Sequence, residues 1–356
     1  MKIVFLGLSI TSSWGNGHAT NYRALVRALA ARGHDVLFLE RDMPWYATRR
    51  DLPSPPWGRT ELYTSLADLR DRFGTDVAEA HLVVIGSYVP EGTAVADWVL
   101  TTSAGAIAFW DIDTPVTVKK LERRDEEYLS RALVPRFDLY LSFTGGPLLD
   151  RIQHEFGARC ARPFYCMADR NAYRPLDEEE RWSLGHLGTY SADRQASLDA
   201  LLVTPARALP GCHFAVAGAQ YPPELAWPVN VERVEHLAPN EHARFYARQR
   251  FTLNVTRADM VSAGWSPSVR LFEAAACGVP VISDHWDGLD SFFRPGVEIL
   301  VATSADAVVA ILQELSPAEA QRIGAAARRR VLAEHAPERR AELLEGYVRA
   351  AAKVAA

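Results

Sequence analysis

The chain has no cysteine cluster. Its four cysteines (Cys160, Cys166, Cys212 and Cys277) lie far apart with no Cys-x-x-Cys pair, which excludes a zinc knuckle and a disulfide framework. No apolar run approaches the ~20 residues that a spanning helix needs. The opening MKIVFLGLSI is too short and too weakly charged for a signal peptide. Excess positive charge is also missing: 39 Lys and Arg stand against 44 Asp and Glu, for a formal charge of -5. That leaves no electrostatic footprint for nucleic acid or an anionic membrane. Internal repeats and low-complexity tracts are absent too. The expectation is a cytoplasmic protein with no membrane span and no nucleic-acid partner.

What is present suits a two-domain enzyme. At 356 residues, with 48% hydrophobic and 23% charged residues, the chain is long enough for about two packed cores. The most informative stretch is SPSVRLFEAAACGVPVIS, Ser266 to Ser283. Ser266 reads as an N-cap and Pro267 as the first helical residue. The helix runs to Cys277, Gly278 stops it, and Val279 to Ser283 reads as a short buried strand. Arg270 and Glu273 share a face of that helix. A helix start with free N–H groups at Ser266 to Ser268 is ready for an anion, and a carboxylate one turn further can accept two sugar hydroxyls. The combination suits a nucleotide-sugar, with diphosphate at the helix start and ribose at Glu273.

Taken in order, Lys2 to Leu8 reads as a buried strand, Ser9 to His18 as a polar loop, Ala19 to Arg32 as a helix, and His34 to Glu40 as a second strand. This is a doubly wound β-α-β unit, whose ligands sit beyond the carboxyl ends of the strands. The loop WGNGHATNYR admits a dinucleotide reading through Gly15, Gly17 and Glu40, but Thr20 takes the third glycine's place. His18 either faces the cleft or packs the loop. Between Arg41 and Phe73 no clear strand is expected. The aromatics Trp45, Tyr46 and Trp57, mixed with arginines and prolines, either stack on an acceptor or pack a long loop. His81 to Gly86 and Gly105 to Trp110 are strands, the latter delivering Asp111 as a cleft candidate. Asp113, before Thr-Pro, is a cap. Asp138 to Phe143 is another strand, followed by the tight turn Thr144 to Pro147.

A second domain is expected from Trp182 to Gly188 onward, through GTYSADRQASL. There Tyr190 lies in the loop and Arg194 in the first turn of a helix, where a cation opposes the helix dipole and needs another reason. His213 to Gly218, Asn230 to His236, Phe251 to Val255 and Val297 to Ala302 complete the strands.

FEAAACGVPVIS resembles the donor motif of retaining GT-B glycosyltransferases, the Glu-x7-Glu region of glycosyltransferase family four. DIDTPVT, LSFTGGP, SPSVRLFEAAACG and FFRPG resemble its CgeB-like (spore maturation) branch. The resemblance implies that Glu273 binds the ribose, that Arg194 joins Arg270 on the diphosphate, and that the loop around Leu237 takes the base. The first glutamate of the motif would fall at Trp265 and is missing; Asp259 is the candidate replacement. GNGH…LVRALAARGHDV is similar to the glycine loop of MurG-like GT-B transferases, whose histidine, here His18, is a candidate base.

The expectation is therefore an α/β GT-B fold of two Rossmann-like domains facing across a cleft. Residues 1–172 form the acceptor side and 173–336 the donor side, with a helix over 337–356 returning to the first domain at Pro337. The reaction expected is metal-independent glycosyl transfer from a nucleotide diphosphate sugar to a small-molecule or glycan acceptor, without a cofactor. His18 and Asp111 are the catalytic candidates, Gly17 joins the donor site, and Trp45, Tyr46 and Trp57 are the acceptor candidates. Resemblance to family four favours retention, whereas a His18 base suits inversion. The rival readings are a GT-B nucleotide-sugar 2-epimerase, an NAD-dependent oxidoreductase and a non-catalytic sugar-binding protein.

Overall fold

The computed structural model describes residues 1–355, so Ala356 of the expected final helix lies outside the described residues. The chain divides into two compact units, Met1–Tyr165 with Pro337–Ala356, and Cys166–Ala336. The first division falls earlier than the 172/173 boundary read from the sequence. The second falls immediately before Pro337.

The first unit is built on a parallel sheet of seven strands: β1 (Lys2–Gly7), β2 (Asp35–Arg41), β3 (Arg59–Tyr63), β4 (Leu82–Gly86), β5 (Ala106–Asp111), β6 (Leu139–Ser142) and β7 (Ala161–Pro163). Their order is β3-β2-β1-β4-β5-β6-β7. Strand order reverses between β1 and β4, which makes a topological switch point beyond their carboxyl ends. β1 pairs with β2 from Lys2↔Asp35 to Gly7↔Glu40. Its Ile3, Val4, Phe5 and Leu6 are fully buried, as an unbroken apolar run requires when helices cover both faces of a parallel sheet. Helix α1 (His18–Ala31) follows the β1 loop, and α2 (Thr114–Arg123) follows β5.

Two features correct the sequence reading here. The stretch from Arg41 to Phe73 does contain a strand, β3, paired in parallel with β2 from Leu37↔Arg59 to Arg41↔Tyr63. It is an edge strand with alternating polar residues (Arg59, Glu61), so it lacks the apolar run that marks the central strands. Ala161–Pro163, not expected as a strand, is strand β7. The C-terminal helix Pro337–Ala355 is fastened to α1 by Glu345, which accepts from Arg32 Nε at 2.6 Å and lies 2.9 Å from His34 Nε2. The Arg32 guanidinium holds the Glu345 carboxyl down at about 2.

The second unit carries a parallel sheet of six strands: β8 (Trp182–Leu187), β9 (Phe214–Ala217), β10 (Val231–Val234), β11 (Gln249–Asn254), β12 (Val281–Ser283) and β13 (Leu300–Val301), ordered β10-β9-β8-β11-β12-β13. Its switch point lies between β8 and β11. The helices that matter for the site are α3 (Ala192–Leu198), α4 (Pro239–Ala247) and α5 (Val269–Ala276). α5 starts later than the sequence suggests. Ser268, not Ser266, is the N-cap, its Oγ accepting from the Arg270 N–H at 3.3 Å. Ser266 is fully buried before Pro267, and a residue preceding proline is pushed out of the helical region. Gly278, at φ +78°, ends the helix after Cys277. No helix among the described residues is long and apolar enough to cross a membrane.

Candidate functional site

In the second unit the site grows from the carboxyl end of β8. Gly188 follows that strand, and a Cβ there would lie 2.5 Å from Arg270 Nη2, 3.0 Å from His186 Nε2 and 3.3 Å from Arg194 Nη1. Three nitrogen-bearing side chains therefore converge where a side chain is missing. Arg270, on α5, is buried and locked. Its Nε donates to the Leu187 carbonyl and its Nη1 to Asn254 Oδ1 at 3.0 Å. Arg194, on α3, donates from Nη2 to the Thr189 carbonyl at 2.6 Å. Both are held by carbonyl and amide oxygens rather than by a carboxylate. Burial, and then the neighbouring Arg270 charge, push the Arg194 guanidinium down to about 10. Burial lowers Arg270 as well. Two desolvated cations of like sign make a place that favours an anion.

His186 lines this place from β8 and is fully buried. Burial, followed by the Arg270 and Arg194 charges, keeps its imidazole well below the usual range, hence neutral. Nδ1 donates to the Leu253 carbonyl at 3.0 Å, so Nε2 carries the lone pair, and it has no hydrogen-bond partner. Beside the arginines, Tyr190 packs edge-on against Tyr221 with ring centroids 5.5 Å apart. Arg233 lies 4.1 Å over the Tyr221 ring and 5.1 Å from Trp227.

One turn beyond Arg270, Glu273 is 5% exposed and its Oε2 accepts from the Tyr246 hydroxyl at 3.3 Å. Tyr173, whose hydroxyl lies 3.4 Å from His242 Nδ1, is buried near the same carboxylate, and burial together with the Glu273 charge holds its phenol well above the usual range. Leu237 lies in the loop before α4, and His242 Nε2 lies 3.2 Å from its carbonyl. Trp265, where a first glutamate was sought, has φ +40° and lies against Gly288, whose added Cβ would meet its ring at 2.5 Å. Asp259 is in the first turn of the short helix Ala258–Ala263.

The structure thus gathers Tyr190, Arg194, Ser268, Arg270 and Glu273 in one unit and buries Ser266 away from the helix start. His186, Gly188, Tyr246 and Tyr173 are not among the site residues read from the sequence. Only the glycine ending β8 could have been found, since the other three look like ordinary core residues.

In the first unit, His18 opens α1, its N–H donating to Asn16 Oδ1 at 3.0 Å. Burial pushes its imidazole down to about 4, and Nδ1 has no partner. Its ring lies 5.5 Å from that of Tyr88, whose hydroxyl donates to Asp113 Oδ2 at 2.8 Å. Asp113 precedes α2 in the N-cap position, although its side chain makes no capping bond. Asp111, expected as a cleft carboxylate, is instead fully buried at the end of β5. It accepts from Tyr140 at 2.6 Å, from Thr117 at 2.7 Å and from the Asp113 N–H at 3.2 Å. Burial still raises it to about 6. Its oxygens are occupied by the fold, which is an anchoring role.

Gly17 is open, with nothing near an added Cβ. Trp45 is 51% exposed, Tyr46 is buried, and Trp57 lies under Arg27 at 5.9 Å. The loop around them is tied down by Arg23 and Asp51, paired at 2.8 Å, and by the Leu52 N–H on the Thr11 carbonyl.

Glu40 decides the dinucleotide reading. It is fully buried, and its carboxylate accepts from Ser9 Oγ, the Ile10 N–H, the Thr11 N–H and Thr11 Oγ1 at 2.7–3.0 Å. Every lone-pair direction is spent on the β1 loop, leaving none for a ribose diol.

Residues 194–346 match the family model described as glycosyl transferase-like. No curated protein matches the chain by sequence. Among solved structures, it is similar to sucrose-phosphate synthase from Thermosynechococcus elongatus, at 16% identity and TM-score 0.69 over 99% of each chain. Anabaena Alr3699/HepE in complex with UDP-glucose is 14% identical, with TM-score 0.70 over 98% of this chain and 99% of that one. An alpha-glucosyltransferase in complex with UDP and a 13-mer DNA is 11% identical, with TM-score 0.67 over 97% of this chain and 98% of that one. The family match gives residues 194–346 a glycosyl transferase-like domain, which supports a transferase, and the likeness to solved structures gives the chain the GT-B fold.

Proposed function

We propose that the protein transfers a sugar from a UDP-sugar to a small-molecule or glycan acceptor, with the donor held by the unit Cys166–Ala336. The observation that carries this reading is the convergence of Arg194 and Arg270 at Gly188, without a carboxylate partner, one helical turn from Glu273. The diphosphate would take the two guanidiniums and the N-terminal amides of α5. These donors stabilise the charge that grows on the leaving group, which is the largest single contribution in many transfers. That arrangement needs no metal ion. Glu273 would accept the two ribose hydroxyls, Tyr190 and the loop at Leu237 would flank the nucleoside, and Ser268 would present the helix start. The UDP-glucose bound by HepE and the UDP bound by the alpha-glucosyltransferase support uridine as the base. The motifs DIDTPVT, LSFTGGP and FFRPG support the CgeB-like branch.

The unit holding residues 1–165 would receive the acceptor. His18 is neutral at ordinary pH and has a free ring nitrogen, which suits a base for an acceptor hydroxyl. Trp45, the exposed aromatic of its loop, would provide a stacking surface, with Trp57 beside it and Tyr46 as a buried support.

A thermal-shift panel of UDP, UDP-sugars, GDP, dTDP and NAD(H) tests the reading. Saturating UDP at about 100 times its dissociation constant should add roughly 2.7 kcal/mol of stability, and NAD(H) should add none because Glu40 is occupied. A shift with NAD(H) alone would overturn the proposal. Glu273→Ala should weaken UDP binding by about a hundredfold or more, since two hydrogen bonds to a charged group are lost, each worth about 1.5–3 kcal/mol.

A further inference from the structure

The Glu273 carboxylate is not free in its pocket. Tyr246, at the end of α4 and fully buried, donates its hydroxyl to Glu273 Oε2 at 3.3 Å. Tyr173, also buried, bears on the same carboxylate. For Tyr246 this is the hydrogen bond that satisfies its buried phenol. A phenol O–H fixed on one oxygen restricts rotation of the carboxylate, and it leaves Oε1 and the second lone pair of Oε2 unengaged by Tyr246.

α4 carries the partner on a rigid element. The helix begins at Pro239, directly after the Leu237 loop, and His242 on its second turn ties back to the Leu237 carbonyl. One helix therefore joins the loop assigned to the base with the carboxylate assigned to the ribose. A tyrosine placed only to fill the core would need no hydroxyl, and burying an unneeded phenol O–H costs free energy.

We infer that Tyr246, assisted by Tyr173, is a positioning residue that orients Glu273 so that the site distinguishes ribonucleotides from 2′-deoxyribonucleotides. The inference rests on the ribose role proposed for Glu273. A carboxylate held in one plane meets both hydroxyls of a vicinal diol with good geometry, whereas a freely rotating one meets one at a time. Removing the 2′-hydroxyl then strands an ordered acceptor, and the penalty is largest when that acceptor cannot turn elsewhere.

The test compares UDP with 2′-deoxy-UDP by isothermal titration on the full chain, in wild type, Tyr246→Phe and Tyr173→Phe. Wild type should prefer UDP by about 10- to 150-fold, the range expected for one hydrogen bond to a charged group. Tyr246→Phe should shrink that ratio at least fivefold, chiefly by weakening UDP while 2′-deoxy-UDP changes little. Tyr173→Phe should shift it in the same direction and serves as the reading if Tyr246→Phe does not fold. A preference that survives unchanged, with both nucleotides weakened equally, makes the tyrosines structural and overturns the inference alone. A wild type that binds the two nucleotides equally overturns the ribose role of Glu273 and this inference together.

Discussion

Gly188→Ala is the smallest change that should disable the anion place. The backbone there lies outside the left-handed region, so alanine meets no conformational penalty. The added methyl, however, would sit 2.5 Å from Arg270 Nη2 and 3.0 Å from His186 Nε2. Arg270 cannot simply swing aside. Its Nε is on the Leu187 carbonyl and its Nη1 on Asn254 Oδ1, so yielding breaks one of those bonds or rotates the guanidinium out of the plane they set. His186 is pinned by Leu253 and is no softer. Overpacking of this kind costs about 1–3 kcal/mol, enough for a measurable fall in Tm without unfolding the unit. The larger consequence is for binding. Displacing one guanidinium from a diphosphate loses a charge-assisted hydrogen bond worth about 1.5–3 kcal/mol, or about 10- to 150-fold in affinity. Uridine has no phosphate and should bind the variant about as well as wild type. Isothermal titration of UDP and uridine into both proteins reads the difference directly. Unchanged UDP affinity would refute the diphosphate assignment, and equal losses for UDP and uridine would point to general collapse of the site.

Other expectations concern the first unit. Because burial places the His18 imidazole at about 4, the acidic limb of the pH–rate profile should fall near pH 4, not 6.5. His18→Ala should remove the limb and lower kcat by about 10²–10⁴, and a limb at 6.5 would show a solvated imidazole instead. Stability should carry opposite pH signatures from two groups. Asp111 is raised from 3.8 to about 6, so its folded form keeps the proton longer and its contribution, full below 3.8, is lost as pH rises through 6. The His18 imidazole is depressed from 6.5 to about 4, so its contribution is full above 6.5 and is lost as pH falls through 4. Asp111→Asn should flatten the first component in denaturant melts recorded between pH 4 and 7, and an unchanged slope would contradict the burial argument. Glu40→Ala strands the donors of Ser9, Ile10 and Thr11, at about 1–3 kcal/mol for each left unsatisfied. It should lower Tm by several degrees in calorimetry while leaving UDP affinity unchanged, and loss of UDP binding would contradict the structural role given to Glu40.

The parts of the chain legible from sequence are those where local signals agree. Helix α5 is announced by serines, a proline, an apolar face and Gly278, and the central strands by unbroken Val, Ile and Leu. From sequence Ser266 reads as the cap, whereas Ser268 holds that place in the structure, because the choice depends on which serine is buried by tertiary packing. β3 escaped because an edge strand alternates charge with apolar residues and imitates a loop. Glu40 was visible at the end of a strand, but its meaning lies in the Ser9 to Thr11 loop that folds onto it. Asp111 was likewise visible at a strand end, while Tyr140 and Thr117, which occupy it, come from elsewhere in the sheet and helix. His186, Tyr173 and Tyr246 were illegible as site residues. A histidine inside a strand and tyrosines beside a helix carry no pattern that separates a buried polar cluster from ordinary core.

The central claim is that the unit Cys166–Ala336 holds a UDP-sugar through Arg194, Arg270 and Glu273. Its most direct test is titration of UDP-glucose into wild type, Arg270→Ala and Glu273→Ala, followed by calorimetry. The account predicts saturable binding to wild type and a loss of about tenfold or more in each variant. Binding of equal strength to all three proteins would contradict it.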